Sequence, residues 1–327
     1  MSQKQIGILG TGVYLPEAVL TNEHLEKMVV TTSQWIVERS GIQERRIAAP
    51  DENTVTLAVA AGRRALLAAG IEPEQLSYIV LGTNTPAHFF PAGAIRVQEE
   101  LGIGGQAAAF DLQAGCCGFN YALYVGEHLV APEGKYALII GSDVCSRFTD
   151  WTDRSTCLLF GDGAGAVVIG PSIRGRIIKS FIASKLNENL YCETEFDENV
   201  SPFLAPQTHS SRHFLRMDGP EIFKFAVNAV KISIPKILEM AGITREEIDY
   251  LIIHQGNYRI LEAGAKFARV PMDKVYVNIH RYGNTSAASV PIALHEALQE
   301  GKIKAGDKVL LISFGAGATW GATLLEW

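Results

Sequence analysis

AAGIEPEQLSYIVLG (residues 68–82) and MAGITREEIDYLIIH (240–254) follow one plan. Each is a helix end, a glycine, an acidic turn and then an apolar run that reads as a strand. They lie 172 residues apart, and the same offset sets GKYALIIGS (134–142) on GDKVLLISF (306–314). Chance likeness between βα units explains one such match more readily than two with a shared offset. The pattern therefore predicts a duplicated half. The division falls near residue 171, giving one half over 1–171 and a second over 172–327.

The rest of the chain fits that plan. IGILG, YIVLGTN, YALIIGSD, AGAVVIG, YLIIH, VYVNI, KVLLISF and GATLLEW read as buried strands. VTLAVAAGRRALLAAG and FAVNAVKISIPKILEMAG carry helical periodicity between them. Alternation of this kind predicts an α/β protein of layered sheets and helices. Two glycine-rich stretches invite nucleotide readings and fail them. GILGTG (7–12) lacks the G-x-G-x-x-G spacing and is expected to be a strand-to-loop turn; GDGAGA (161–166) lacks the lysine of a P-loop and is expected to be a tight turn into VVIG.

Composition narrows the function. At 327 residues with 47% hydrophobic and 20% charged, this is an ordinary globular chain large enough for two similar halves. A net charge of −6 argues against non-specific nucleic-acid binding, without excluding a local basic patch. No apolar run nears the ~18 residues of a membrane span. The opening MSQKQIGILGTGVYLPE has no long apolar stretch of the signal-peptide kind and reads as a first strand, so a cytoplasmic protein is expected. Five cysteines, an odd number, do not suggest a disulfide framework. His209 and His213 lie four apart in the polar segment SPFLAPQTHSSRHF, without a third ligand in view, and a loop is expected there in place of a metal site.

DLQAGCCGFNYAL (111–123) holds the candidate nucleophile. Phe119, Leu123, Gly126 and Val130 recur at helical spacing, so a helix should begin near Cys117. Cys116 then stands at a strand–turn–helix elbow, where the first amides and the helix dipole favour a thiolate. Cys145, Cys157 and Cys192 read as small buried hydrophobes. His254 ends the strand YLIIH, at the carboxyl edge where α/β proteins gather their sites. Asn284 lies in the glycine-flanked turn of YGNTSAASVP, and SFGAGATWG forms a glycine-rich turn whose amides could face an oxyanion.

The set AGCCGF, IIHQGNYRI, YGNTSAASVP and FGAGATWG, in this order, resembles the β-ketoacyl-acyl-carrier-protein synthase III family of the thiolase superfamily. TTSQWIVERSGIQERRIA (31–48) and DRSTCLLFGDGAGA (153–166) extend the likeness over nearly the whole chain. The resemblance implies a thiolase fold, two duplicated βαβαβαββ halves in a five-layered αβαβα structure. It implies a decarboxylative Claisen condensation that initiates fatty acid biosynthesis. A short acyl-CoA primer, acetyl-CoA or similar, loads the sulfur of Cys116, and malonyl-acyl-carrier protein then becomes the β-ketoacyl product. CoA thioesters are substrates, and no cofactor or metal is implied.

By the same resemblance, His254 and Asn284 donate to the thioester oxygen during decarboxylation, and the amides of Cys116 and Ala316 form the oxyanion hole. Trp35 and Arg154 match the pair that sandwiches the adenine of CoA, Arg39 meets a phosphate, and Phe223, Gly256 and Asn257 line the pantetheine tunnel. Lys224, Arg259 and Lys266, with Arg269 beside them, form the basic patch for an acidic carrier protein. The family is a homodimer, and Phe90 in FFP (89–91) would reach the partner's acyl pocket, which Cys117 is also placed to line.

Departures from the family pattern are Cys117 and Gly256 for alanines, Pro220 for an asparagine and Ala316 for a glycine. Two rivals share parts of the pattern. A synthase III homologue moving acyl groups in secondary metabolism has the same residues. A papain-like Cys-His-Asn hydrolase shares the order but not the duplicated strands. Thiolases carry a second cysteine in the last glycine turn, and elongating synthases a second histidine in place of Asn284; this chain has neither. Primers differing by a few methylenes differ by only ~1–3 kcal/mol in a pocket, so the sequence leaves the primer open.

Overall fold

The computed structural model describes residues 5–192 and 214–327. His209 and His213 lie outside them. Two main sheets organise the molecule. The first runs in the order β1 (Ile6–Tyr14), β7 (Asp162–Pro171), β6 (Tyr136–Val144), β4 (Leu76–Gly82), β5 (Ala108–Leu112). The second runs β11 (Tyr250–Ile253), β12 (Lys308–Gly315), β13 (Gly317–Glu326), β8 (Arg176–Asn187). Two ribbons, β2 (Ala18–Thr21) with β3 (Glu44–Ile47) and β9 (Leu190–Cys192) with β10 (Leu215–Met217), stand outside the sheets.

Helices fill three layers around these sheets. α3 (Thr54–Ala69) and α4 (Gly93–Glu100) pack on the first sheet, and α6 (Gly219–Ala241) and α7 (Tyr258–Ala268) on the second. α5 (Gly118–Val130) and α9 (Ser289–Gln299) touch strands of both sheets and so lie between them. The result is the five-layered αβαβα order. α1 (Asn22–Leu25), α2 (Ser33–Ser40) and α8 (Ile279–Tyr282) are short connectors. The central core joins Phe119 and Leu123 of α5 and Leu294 of α9 to Ile139 of β6 and Leu311 of β12. Strands such as β6 are covered on both faces, which is why they read as continuous apolar runs rather than alternating ones.

The 172-residue repeat is visible in the backbone. α3 ends on Gly70 at φ 63, ψ 32, and α6 on Gly242 at φ 68, ψ 31, both left-handed positions that glycine occupies without a Cβ clash. One-turn helices at Pro73–Gln75 and Arg245–Glu247 follow, then β4 and β11, which are the equivalent strands of the two sheets.

Three expectations need correction. VYVNI is not a strand: only the bridge Leu251–Val275 forms, because the amides of Asn278 and Ile279 turn to the Gln255 Oε1 (3.0 and 3.2 Å) and the chain enters α8. GILGTG is no turn; it lies inside β1. A Cβ on Gly10 or Gly12 would come within 2.3 Å of α3 backbone atoms, so these glycines let the helix lie directly on the strand. GDGAGA is likewise strand from Asp162 onward, with Gly165 pressed against Pro291 of α9.

Candidate active site

Cys116 follows β5 through Gln113, Ala114 and Gly115. Gly115 adopts φ +55, and a Cβ there would sit 2.5 Å from the Ala316 nitrogen, so glycine is required twice over. Hydrogen bonds from the Cys117 amide to the Ala114 carbonyl (3.1 Å) and from the Gly118 amide to Gly115 (3.0 Å) close the turn. α5 begins at Gly118 with Cys117 as N-cap, so Cys116 immediately precedes the helix.

Its charge state differs from the expectation drawn from the helix terminus. Burial pushes the Cys116 thiol up to about 11; the Ser286 hydroxyl pulls the other way, Asp143 adds to the rise, and Asn284 lowers it, without a net offset. In this state Cys116 is a neutral thiol, because removing the sulfur from water outweighs the first-turn amides. Cys117 is fully buried, its Sγ 2.8 Å from the Ser313 hydroxyl, and it lines neither cavity described below. It packs between α5 and β12, with its sulfur turned to Ser313 rather than into either cavity.

His254 extends β11 by one residue, its amide bonding the Ile312 carbonyl at 2.8 Å. The ring meets Phe314 edge-on, with centroids 5.1 Å apart. Burial lowers its pKa to about 3, so the imidazole is neutral across the physiological range. Nδ1 is buried and has no hydrogen-bond partner among the described residues. Asn284 comes from the turn after α8. Its amide bonds the Leu159 carbonyl (2.9 Å), its carbonyl accepts from Gly161 (3.0 Å), and its Oδ1 accepts from the Ser286 amide (2.9 Å). The last bond turns the Asn284 NH₂ group away from Ser286 and toward Cys116, whose thiolate it favours.

Two cavities meet at Cys116. The outer, ≈ 460 Å³, is lined by Trp35, Phe223, His254, Gly256, Asn284 and Cys116 among others. The inner, ≈ 340 Å³, runs from Cys116 past Phe148, Phe160, Leu190 and Thr319 and is mostly apolar. Ala316 stands on the turn between β12 and β13, beside Cys116 in the inner cavity, and its φ is not in the left-handed range. Alanine is thus accommodated where the family pattern has glycine. Cys145, read from sequence as a plain core residue, also lines this cavity.

The outer rim departs from expectation in detail. The Arg154 guanidinium carbon lies 4.2 Å from the Trp35 ring centroid, so the two stack on each other and leave no slot for a base between them. An adenine would have to displace Arg154. The Arg39 guanidinium is 5.9 Å from the same ring. Asn257 lines the outer cavity, but its side chain caps α7 by accepting from the Arg259 amide and donates to the Arg39 carbonyl. Lys224 and Lys266 are exposed; Lys224 pairs with Glu221 at 2.5 Å, and the Arg259 side chain donates to the Glu38 carbonyl at 2.9 Å. Phe90 is 86% exposed in the single chain and lines neither cavity.

Residues not singled out from the sequence complete the site. Asp143, fully buried at the end of β6, accepts from Thr83, from the amides of Asn84 and Thr85, and from Ala287. Asn84 and Ser286 bridge this carboxylate to Cys116. A charged residue at the carboxyl end of an apolar strand, as in YALIIGSD, was the available signal for Asp143. No local signal marks Ser286.

Comparison with known proteins places these features in a family. Residues 110–186 match the 3-oxoacyl-[acyl-carrier-protein (ACP)] synthase III family, and 238–327 its C-terminal part. The chain is 44% identical over 325 residues to a β-ketoacyl-[acyl-carrier-protein] synthase III of Syntrophomonas wolfei, covering 99% of this chain and 98% of that one. The 3-oxoacyl-[acyl-carrier-protein] synthase III structure from Aquifex aeolicus superposes with a TM-score of 0.90 at 44% identity, over 98% of this chain and all of that one. The priming β-ketosynthase of the R1128 polyketide pathway superposes with a TM-score of 0.91 at 34% identity, over 99% and 96%.

Proposed function

The chain belongs to the 3-oxoacyl-[acyl-carrier-protein] synthase III family, and from that membership we propose that it is the acyltransferase that condenses a short acyl-CoA primer with malonyl-acyl-carrier protein to begin fatty acid synthesis. The observation that carries this reading is convergence. Cys116 from the first half and His254 and Asn284 from the second line one cavity that opens past Trp35 and Phe223.

The chemistry follows from the groups present. Cys116 sulfur attacks the primer thioester carbon, the bond to the CoA sulfur breaks, and the thiol proton ends on CoA. Amides of Cys116 and Ala316 serve the oxyanion formed in that step. The inner cavity, lined by phenylalanine and leucine side chains, takes the acyl chain. Malonyl-carrier protein then enters and CO₂ departs. The developing enolate oxygen receives hydrogen bonds from the neutral ring of His254 and from Asn284. The methylene carbon attacks the acyl-Cys116 carbon, the carbon–sulfur bond breaks, and Cys116 regains a proton from solvent. Splitting the condensation at an acyl-enzyme replaces one difficult step by two easier ones. Coenzyme A acts as substrate here, and the reading calls on no resident cofactor.

The working assembly in this reading is a cytoplasmic homodimer whose Phe90 loop caps the partner's acyl chamber, with Lys224, Arg259 and Lys266 receiving the carrier protein. The chain divides at residue 171 into a half that supplies the nucleophile and a half that supplies the donors. Among the described residues, no helix is long and apolar enough to cross a membrane. Likeness to the polyketide priming enzyme favours one alternative of the same chemistry, a primer loaded for secondary metabolism.

Intact-protein mass spectrometry after incubation with acetyl-CoA tests the assignment. One acetyl mass is expected, lost in Cys116→Ala and retained in Cys117→Ala; labelling that survives Cys116→Ala rejects it. A panel of acyl-CoA primers assayed with malonyl-carrier protein then separates straight-chain, branched and secondary-metabolic priming.

A further inference from the structure

We propose that Ser286 is a further catalytic residue of this site: its hydroxyl donates to the Cys116 sulfur and holds the thiolate, and Asn84 fixes the direction of that bond. Ser286 lies two residues beyond Asn284 with φ +51, a left-handed conformation that serine seldom adopts. This conformation accompanies two contacts. The Ser286 amide bonds Asn284 Oδ1 at 2.9 Å, and its Oγ lies 3.5 Å from Cys116 Sγ.

The direction of the second bond follows from the neighbours. Asn84 Nδ2 is 3.2 Å from Ser286 Oγ, 3.0 Å from the Gly115 carbonyl oxygen and 3.0 Å from Asp143 Oδ2. A carbonyl and a carboxylate can only accept, so the atom facing them is the amide nitrogen. That nitrogen can only donate. Its two hydrogens are shared among three acceptors, and Ser286 Oγ, which cannot donate to that nitrogen, keeps its single hydrogen for sulfur. The frame is rigid, because Asp143 is buried and also accepts from Thr83 Oγ1, from the Asn84 and Thr85 amides and from the Ala287 amide.

Other titratable groups face this sulfur. Asp143 and Cys145 lie on the β6 side, Cys117 next in the chain at the N-cap of α5, and His254 across the outer cavity. Asp143 disfavours the thiolate, and the buried His254 brings no positive charge. The Ser286 hydroxyl also faces Cys145, whose thiol burial keeps neutral. A charged sulfur is the stronger acceptor, so the hydroxyl commits to Cys116 once that thiol ionises. In the acyl-transfer reading above, on which the catalytic role rests, the same bond stabilises the attacking sulfur and the sulfur expelled after condensation.

The test is the pH profile of Cys116 alkylation by iodoacetamide, followed at the Cys116 peptide by mass spectrometry in the full chain. A hydrogen bond to a charged group is worth about one pKa unit or somewhat more. Ser286→Ala should move the midpoint up by about one pH unit and slow alkylation about tenfold below it. Asn84→Ala should shift it the same way by less, as expected of a positioning residue. Ser286→Gly, whose backbone takes φ +51 freely, repeats the measurement should the alanine variant fail to fold. A profile unchanged from the unaltered protein in either folded Ser286 variant overturns the proposal. Acetyl-CoA labelling of the unaltered protein is read separately. Its absence alongside a shifted alkylation profile would reject the condensing-enzyme reading while upholding the Ser286–Cys116 bond.

Discussion

At the scale of single residues, His254 is kept neutral by burial, with Phe314 at its edge and no partner at Nδ1 among the described residues. Such a ring is a poor store for a proton and a good donor to a developing oxyanion, which separates its role from acyl loading. His254→Ala should still accept an acetyl group from acetyl-CoA yet lose condensation with malonyl-carrier protein by at least ~100-fold. Loading by mass and product by chromatography read the two steps apart; unimpaired condensation would contradict the role. The depressed pKa also affects stability. The unfolded ring titrates near 6.5 and the folded ring near 3, so between these values the unfolded chain binds the extra proton. Stability from this group is full above pH 6.5 and falls with pH, by about 2 kcal/mol from pH 6.5 to 5. Denaturant unfolding at pH 7 and 5 should show that part of the loss missing from His254→Asn.

At the scale of elements, the glycines of β1 and β7 explain both a success and a failure of reading from sequence. Periodicity found the strands, because a strand buried on two faces leaves an apolar signature in its own residues. It misread GILGTG and GDGAGA as turns because those glycines make room for tertiary neighbours, the α3 backbone on Gly10 and Gly12 and Pro291 of α9 on Gly165, which local sequence does not record. Gly10→Ala would drive a Cβ to 2.3 Å from the Ala69 nitrogen, whereas a Cβ on Gly105 meets nothing within 4 Å. Gly10→Ala should destabilise by ~2 kcal/mol or more and Gly105→Ala by no more than ~0.5 kcal/mol, measured by thermal or denaturant unfolding. The same distinction runs through the site. Cys116, His254 and Asn284 were legible because each stands at a strand end or glycine turn with its own sequence signs. Ser286 and Asn84, 202 residues apart, meet only after folding; Trp35 and Arg154 were paired by family resemblance, but their direct stacking was not foreseen.

At the scale of the whole molecule, the site belongs to neither half alone. Asn284 is tied by its main chain to Leu159 and Gly161 of the first half, and His254 faces the cavity that ends at Cys116. Beyond the single chain, Phe90 is exposed and β5 is the outer strand of its sheet, with Ala108 exposed. Light scattering should give twice the 35.5 kDa chain mass. Phe90→Asp should shift the protein toward monomer and lower the rate with longer primers more than with acetyl-CoA. A dimer as stable as before, with unchanged primer preference, would count against the Phe90 loop as the cap.

The shortened second sheet bears on how far such assembly can run. In the first half β5 completes the sheet beyond β4; in the second, the equivalent place beside β11 holds only the Leu251–Val275 bridge. Had duplication kept both outer strands, each chain would offer two like edges, and pairing edge to edge could have propagated from chain to chain into an open filament. With one of them reduced to a bridge among the described residues, an association that paired β5 with β5 would use up the edge it depends on. A dimer formed across that edge would be closed, its growth ending at two chains because one repeat has lost a strand.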